Sequence, residues 1–334
     1  MIGIKIVRGF RFSILLVLGV IFTVGCTDLL TKELDIEDDF DFETQLGLSG
    51  ILRNDYSETS SLPITQILLA ENQSILEPNL TPIYHQTDGL NLYKDGEYFN
   101  TFFQSEQGIH RNQLMDSMPP SFLIEQGSYR VELDHPDFGL VSAETQMPKP
   151  VFVNYIEVKE SSFTTVEVPA FQKRYEVTFR FYDPPGANYY ELTIETDNYL
   201  EPDTVFFDLD SVDYQLKLVR SFIESITLPN AIEKENKSYL FDDSTFDSSY
   251  ASISFSLIAE GIFGAPDLER LKAISFLKWS CLSEEQYLFD TSYLNYQSNQ
   301  LFGPFSEPYS IYNNVENGLG YLGAENYYFK PFSE

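Results

Sequence analysis

The sequence predicts a mainly β protein of two β-sandwich domains, immunoglobulin-like or transthyretin-like, with one or two short helices in the second. Three observations carry this expectation. The 334 residues are 43% hydrophobic and 15% aromatic, too apolar for a chain that stays disordered. Phe and Tyr number 28 and 22, and these residue types favour strands over helices. From about Leu46, short alternating runs recur between turn residues, which is the rhythm of a sandwich. The length suits two domains of ordinary size once a targeting segment is removed.

That targeting segment comes first. Lys5, Arg8 and Arg11 lead into an apolar run over residues 12–24 that ends at Gly25-Cys26, the layout of a secretory signal. Crossing about 30 Å of hydrocarbon takes roughly 20 apolar residues, so this run is expected to be cleaved over 1–25 rather than kept as an anchor. Gly25 directly before Cys26 resembles the lipobox of bacterial lipoproteins, where the cysteine becomes the lipid-bearing first residue; Thr23 stands where Leu is usual. Several acyl chains hold a protein at a membrane well, since each buried methylene adds about 0.8 kcal/mol. The other cysteine is Cys281, so a lipidated chain has no intramolecular disulfide and depends on packing. Sequons at Asn72 and Asn236 permit a rival reading as a eukaryotic secreted glycoprotein, although such chains usually carry more cysteines.

Loss of residues 1–25 removes three basic residues and no acidic one, which deepens the formal net charge of −30. Such a surface repels nucleic acid, and none is expected as a partner. Asp28, Glu33, Asp35, Glu37, Asp38, Asp39, Asp41 and Glu43 crowd the stretch 26–44. Like charges at this density repel and extend a chain, so the stretch is expected to be a tether. An acidic stretch just after a lipidated cysteine also resembles the signal that sends Bacteroidota lipoproteins to the cell surface.

Within the first domain, 45–147, "LGLSGIL" and "PITQILLA" are candidate strands. "GLNLYKDGEYFNTFF" is a hairpin whose Asp95-Gly96 pair suits the positive φ of a two-residue turn. In "SYRVEL" Tyr129, Val131 and Leu133 share one face, and "GLVSAET" closes the set. Met147-Pro148-Lys149-Pro150 cannot lie inside a ladder and is taken as the linker. The second domain, 151–334, opens with "VFVNYIEVKE". "RYEVTFRFYD" then turns at Asp183-Pro184-Pro185-Gly186 into "NYYELTIET", read as an antiparallel pair. "YASISFSLI" alternates as a strand, with "DTVFFDLDS" and "VDYQLKLV" weaker. "AISFLKWSCLS" is strand-like and places Trp279 in the core. Ser283 and Gln286 form a capping box for one helix, which continues through Tyr287, Leu288, Thr291, Leu294 and Gln297.

Residues that could carry chemistry come next. Gly318, Gly320 and Gly323 spell a dinucleotide-loop fingerprint, but that motif needs a helix after it and an acid about 20 positions on. Only 11 residues follow Gly323, so no nucleotide is expected, and the glycines indicate an irregular, ordered segment. His85, His110 and His135 are widely spaced, and solvated or hydrogen-bonded loop histidines are expected rather than a zinc site. No G-x-S-x-G is present. Asp208, Asp210, Asp242, Asp243 and Asp247 could serve a glycosidase in pairs or calcium in threes and fours. With 51 acidic residues such groupings arise by chance, so no catalytic residue, metal or cofactor is assigned and a calcium site stays open. Tyr189, Tyr190, Tyr309, Tyr312, Tyr327 and Tyr328 could stack on sugars or on a partner protein.

The stretch "FSEPYSIYNNVENGLGYLGA" is similar to a C-terminal signature of the form "sNIeNGlGiFga". Pro308, Asn314, Glu316, Asn317, Gly318, Gly320 and Gly323 match it, while Asn313 stands where Ser is common and Tyr321-Leu322 where Ile-Phe is common. Weaker echoes are "LNLYKDGEY", "GSYRVELDHPDFGLVSAET" with "PKPV", and "YLFDDSTFDSS", where glycine often replaces Ser248. On these residues the chain resembles a family of uncharacterised Bacteroidota outer-membrane lipoproteins, a domain of unknown function encoded beside TonB-dependent receptors. The resemblance implies no catalytic residue. It implies a lipid-anchored outer-membrane protein facing the cell surface, a non-catalytic binding or partner subunit of a TonB-dependent receptor system. Tyr312, Asn314, Glu316, Asn317 and Tyr321 are where contact with that partner is first expected. A surface hydrolase acting on glycans or peptides, and an adhesin or structural envelope protein, remain the alternatives.

Overall fold

The computed structural model describes residues 43–55, 65–72, 83–85, 87, 89–106, 108–111, 126–161, 172–196, 219–234, 238–261, 266–300 and 310–333. The expected signal segment, Cys26, Asp208, Asp210, Tyr309 and most of "DTVFFDLDS" and "VDYQLKLV" lie outside them. The chain is mainly β. In its first half the strands are β1 (Leu46–Asp55), β2 (Gln66–Glu71), β3 (Ile83–Tyr84), β4 (Leu90–Lys94), β5 (Glu97–Glu106), β6 (Ile109–Arg111), β7 (Gly127–His135) and β8 (Gly139–Met147). There follow β9 (Val153–Glu160), β10 (Gln172–Tyr182), β11 (Tyr189–Thr196), β12 (Val219–Ile226), β13 (Ile232–Glu233), β14 (Tyr239–Asp242) and β15 (Tyr250–Gly261). Helix α1 (Leu268–Ile274), β16 (Ser275–Leu282), helix α2 (Glu284–Gln300), β17 (Val315–Glu316) and β18 (Leu319–Pro331) complete the order.

Several local expectations hold. Asp95 and Gly96 take φ of +49° and +84°, as the β4–β5 hairpin requires. Tyr129, Val131 and Leu133 are buried. Ser283 Oγ accepts from Gln286 N–H at 3.2 Å and caps α2.

The pairing of the second half differs from expectation. Strands β10 and β11 do not pair. β10 lies between β9 and β15 in a four-stranded sheet ordered β12-β15-β10-β9, whereas β11 lies between β14 and β16 in a larger sheet. A two-residue hairpin turn would keep both arms in one sheet. Pro184 and Pro185 have no N–H to extend a ladder, and residues 183–188 instead carry the chain from one sheet to the facing one. Between the sheets sits an aromatic core: the Trp279 ring lies 4.7 Å from Phe181, 4.9 Å from Tyr190 and 5.3 Å from Phe179. Each such buried side chain contributes about 1.5–3 kcal/mol relative to exposure.

The larger sheet has fourteen strands, ordered β13-β14-β11-β16-β18-β1-β2-β6-β5-β4-β7-β8-β17 with β3 beside β2. Its organiser is β18. This last strand pairs antiparallel with β16 and parallel with β1, in the register Leu52↔Ala324. Buried apolar side chains form two clusters. One runs from Leu46 to Met147 and takes in Val315, Leu322 and Ala324; the other runs from Val151 to Cys281 and takes in Tyr328 and Phe332. The clusters part at 148–150, where Asn326 Nδ2 donates to the Pro148 carbonyl and Val151 N–H to Cys281 Sγ. The second core is closed by α1, capped by Asp267, and residues Thr44–Glu334 form one compact unit.

Candidate functional site

The C-terminal residues singled out by sequence are brought together on one strip. Strand β17 pairs with the outer edge of β8 through Val315↔Ala143 and Glu316↔Ser142. Beyond each end of that short pairing, a side chain takes over. Asn314 Nδ2 donates to the Glu144 carbonyl at 2.8 Å, and Asn317 Nδ2 donates to the Leu140 carbonyl at 3.0 Å. Asn314 also bonds Leu322 at both ends, accepting its N–H at 2.9 Å and donating to its carbonyl at 2.9 Å. The two amides thus continue the ladder along an edge that two residues cannot cover. Asn317 has φ +57°, a conformation that asparagine tolerates better than most residues.

Glycines complete the strip. Gly318–Gly323 leads into and forms the start of β18, where the expectation was an irregular segment. Gly320 has φ +114°, and a Cβ there would stand 2.1 Å from the Leu48 carbonyl. At Gly323 it would stand 2.3 Å from Gln286 Oε1. The fingerprint spacing therefore reflects close passage of β18 past β1 and α2.

Of the remaining members, Glu316 is exposed and accepts from Ser142 Oγ at 3.0 Å, with Arg130 Nη2 at 3.6 Å. Tyr321 stacks on Phe289 with centroids 3.5 Å apart, and burial pushes its phenol up to about 12. Half-buried Tyr312 donates its backbone N–H to Ser292 Oγ at 2.9 Å.

All three histidines are hydrogen-bonded, as one half of the expectation had it; His85 lies just past β3 and is half-buried, while the other two sit on strands β6 and β7. His110 and His135 are buried, and desolvation lowers the pKa of both. His85 meets His135 edge-on at 4.9 Å and lies 3.1 Å from Glu71 Oε2. Tyr190 and Tyr328 belong to the core, and Tyr189 stacks on Tyr287.

A second constellation forms at the end of the four-stranded sheet. Oxygens of Asp183, Asp243 and Asp247 lie within 4.8 Å of one another. Asp183 accepts from Ser248 N–H at 3.0 Å and from the Tyr190 hydroxyl, and Asp243 from Asn188 N–H and Nδ2, both at 2.9 Å. Asp247 accepts from Gly186 N–H at 3.3 Å. Burial, with the charges of Asp243 and Asp247, raises the Asp183 pKa against the pull of the Tyr190 and Ser248 bonds. Hard carboxylate oxygens suit calcium or magnesium, yet most of these oxygens already hold the 183–188 crossing to the 242–249 turn. Ser248 has φ +58°. The sequence points to Asp243 and Asp247 as grouped carboxylates but to Asp183 only as a turn residue, because its approach depends on the crossing.

Beside this constellation the sheet carries exposed rings that sequence reading missed. Tyr182 and Tyr250, 46% and 78% exposed, face each other across β10 and β15 with centroids 5.1 Å apart. Next along the sheet, Arg180 lies 5.1 Å over the Tyr155 ring, which is 42% exposed. Opposite parity to the buried Phe179, Phe181 and Ala251 was the available signal for Tyr182 and Tyr250.

No curated protein matches the chain. The model of one protein family matches residues 64–330, from just before β2 to near the end of β18 and without β1, and on that match the chain belongs to the family described as Domain of unknown function (DUF4249).

Proposed function

We propose that the protein is a lipid-anchored outer-membrane protein on the cell surface, held by Cys26, and that it serves as a non-catalytic binding or partner subunit of a TonB-dependent receptor system in nutrient capture or receptor assembly. One observation carries the reading: the acidic stretch after Cys26 ends at Glu43, and the compact unit begins at Thr44. A lipid, an acidic connection and a packed body then follow in the order a tethered surface protein needs. The strip formed by Asn314, Glu316 and Asn317 on β8 is the proposed docking edge, with Glu316 and Asn317 exposed there.

Two measurements test the proposal. Cys26→Ser should abolish incorporation of labelled fatty acid, and co-purification from detergent-solubilised outer membranes should yield a stoichiometric β-barrel receptor at native expression. Retained labelling would sink the anchor, and recovery of the protein alone would sink the partner role. We take the two cores as two sandwich domains meeting at 148–150. Trp279 fluorescence should then report a different unfolding transition from far-UV circular dichroism, whereas coincident curves would mean one cooperative unit.

A further inference from the structure

We propose that the outer face of the four-stranded sheet, around Tyr155, Arg180, Tyr182 and Tyr250, binds an acidic carbohydrate chain through a sugar carboxylate. The argument begins with charge. In a chain of formal net charge −30, most described cations are spent on carboxylates: Arg53 on Glu325, Arg130 on Glu132, Arg174 on Glu224, Lys234 on Asp290. Arg180 is different. Among the described residues it is exposed, in no ion pair, and laid over the Tyr155 ring at 5.1 Å. A guanidinium seated over a ring and bound to no carboxylate has its fork available for one, which it can bind through two parallel hydrogen bonds.

What surrounds Arg180 selects the rest of the ligand. Arg180 and Tyr182 are two positions apart on β10 and project from one face, roughly 7 Å apart along the strand. Tyr182 pairs with Tyr250 across to β15, and Arg180 pairs with exposed Ser252. One sugar can therefore rest on the tyrosine rings while its carboxylate reaches Arg180. Beyond lie hydroxyls, with Thr178 and Ser254 oxygens 2.8 Å apart. Rings flanked by hydroxyls suit a polyhydroxylated ligand with apolar ring faces. A nucleic acid would need cations for several phosphates, whereas Arg180 serves a single carboxylate. The inference goes beyond the receptor role, and it needs no receptor, so each can fail without the other.

The test is calorimetric titration of the full-length lipoprotein in detergent with oligogalacturonate and oligoguluronate, and with neutral xylohexaose for comparison. Binding is expected for a uronate chain, weakening with added salt and absent for the neutral chain. Arg180→Gln should reduce affinity by about tenfold or more, and Tyr250→Ala should also weaken it, with thermal unfolding unchanged in both because the side chains are exposed. Equal binding of neutral chain and uronates, undiminished affinity in Arg180→Gln, or no uptake of either uronate would overturn the proposal. So would loss of receptor co-purification in Arg180→Gln without change in uronate binding, which would make the face a protein-docking surface.

Discussion

Removing the hydroxyl of Ser283 should destabilise the protein by about 2–4 kcal/mol, far more than its size suggests. Ser283 is buried where β8, β18 and α2 meet. Its Oγ accepts from Gln286 N–H at 3.2 Å and from Ala324 N–H at 3.1 Å, and it lies 3.0 Å from Thr145 Oγ1. Thr145 Oγ1 is in turn 2.9 Å from Glu285 Oε2. Thr145 Oγ1 has one proton and two acceptors in reach, Ser283 Oγ and Glu285 Oε2, so Ser283 Oγ is an acceptor at the centre of the cluster. In Ser283→Ala the helix loses its cap, at about 1 kcal/mol. The Ala324 N–H is left buried without this partner, at about 1–3 kcal/mol more. Equilibrium urea unfolding followed by Trp279, the single tryptophan and three residues from the Leu282–Ser283 junction, measures the loss. Ser298→Ala is the control: its hydroxyl only bonds back to the Leu294 carbonyl at 2.8 Å on an exposed face, and it should change stability by less than about 0.5 kcal/mol. A loss below about 1 kcal/mol in Ser283→Ala, or an equal loss in Ser298→Ala, would refute the reasoning.

Other expectations follow from the same geometry. Gly320→Ala should cost at least about 2 kcal/mol, because the backbone is at φ +114° and the new Cβ would meet the Leu48 carbonyl; a fully stable variant by thermal melt would contradict the close approach. Asn314→Ala removes three backbone partners and should cost about 2–3 kcal/mol, with faster hydrogen exchange at Leu322, whereas Asn317→Gly keeps the φ and loses only the bond to the Leu140 carbonyl, at about 1 kcal/mol. For pH, burial lowers the pKa of His110 and His135 below the ordinary 6.5. The unfolded chain therefore binds more protons than the native one just below pH 6.5, and this contribution to stability is present above 6.5 and lost as pH falls towards the native values. His110→Leu should flatten that limb of a stability–pH curve; an unchanged slope would assign the acid response elsewhere.

Legibility in the sequence followed the range of the interaction. The Asp95-Gly96 hairpin, the Ser283–Gln286 cap, the buried faces of β7 and β15 and the burial of Trp279 could all be read from neighbours within a few positions. Turn conformation, capping and alternation are local properties of the backbone and its side chains. The C-terminal strip was legible as a pattern but not as a structure. Asn314 and Gly320 looked like parts of a signature or a phosphate loop until their partners, Glu144 and Leu48, were in place.

What the sequence by itself determined is the mainly β class, most strand positions and one helix. What only tertiary structure decided is partnership. It put β10 and β11 into facing sheets, joined β18 to a parallel partner some 270 positions away, and drew Asp183 to Asp243 and Asp247. It also left Tyr155, Arg180, Tyr182 and Tyr250 on one open face. Alternation tells which side chains share a side of a strand, but many strands in one chain share the same alternation. The choice among them is made by packing complementarity and by satisfying every edge carbonyl and amide together, and those conditions exist only in the assembled fold.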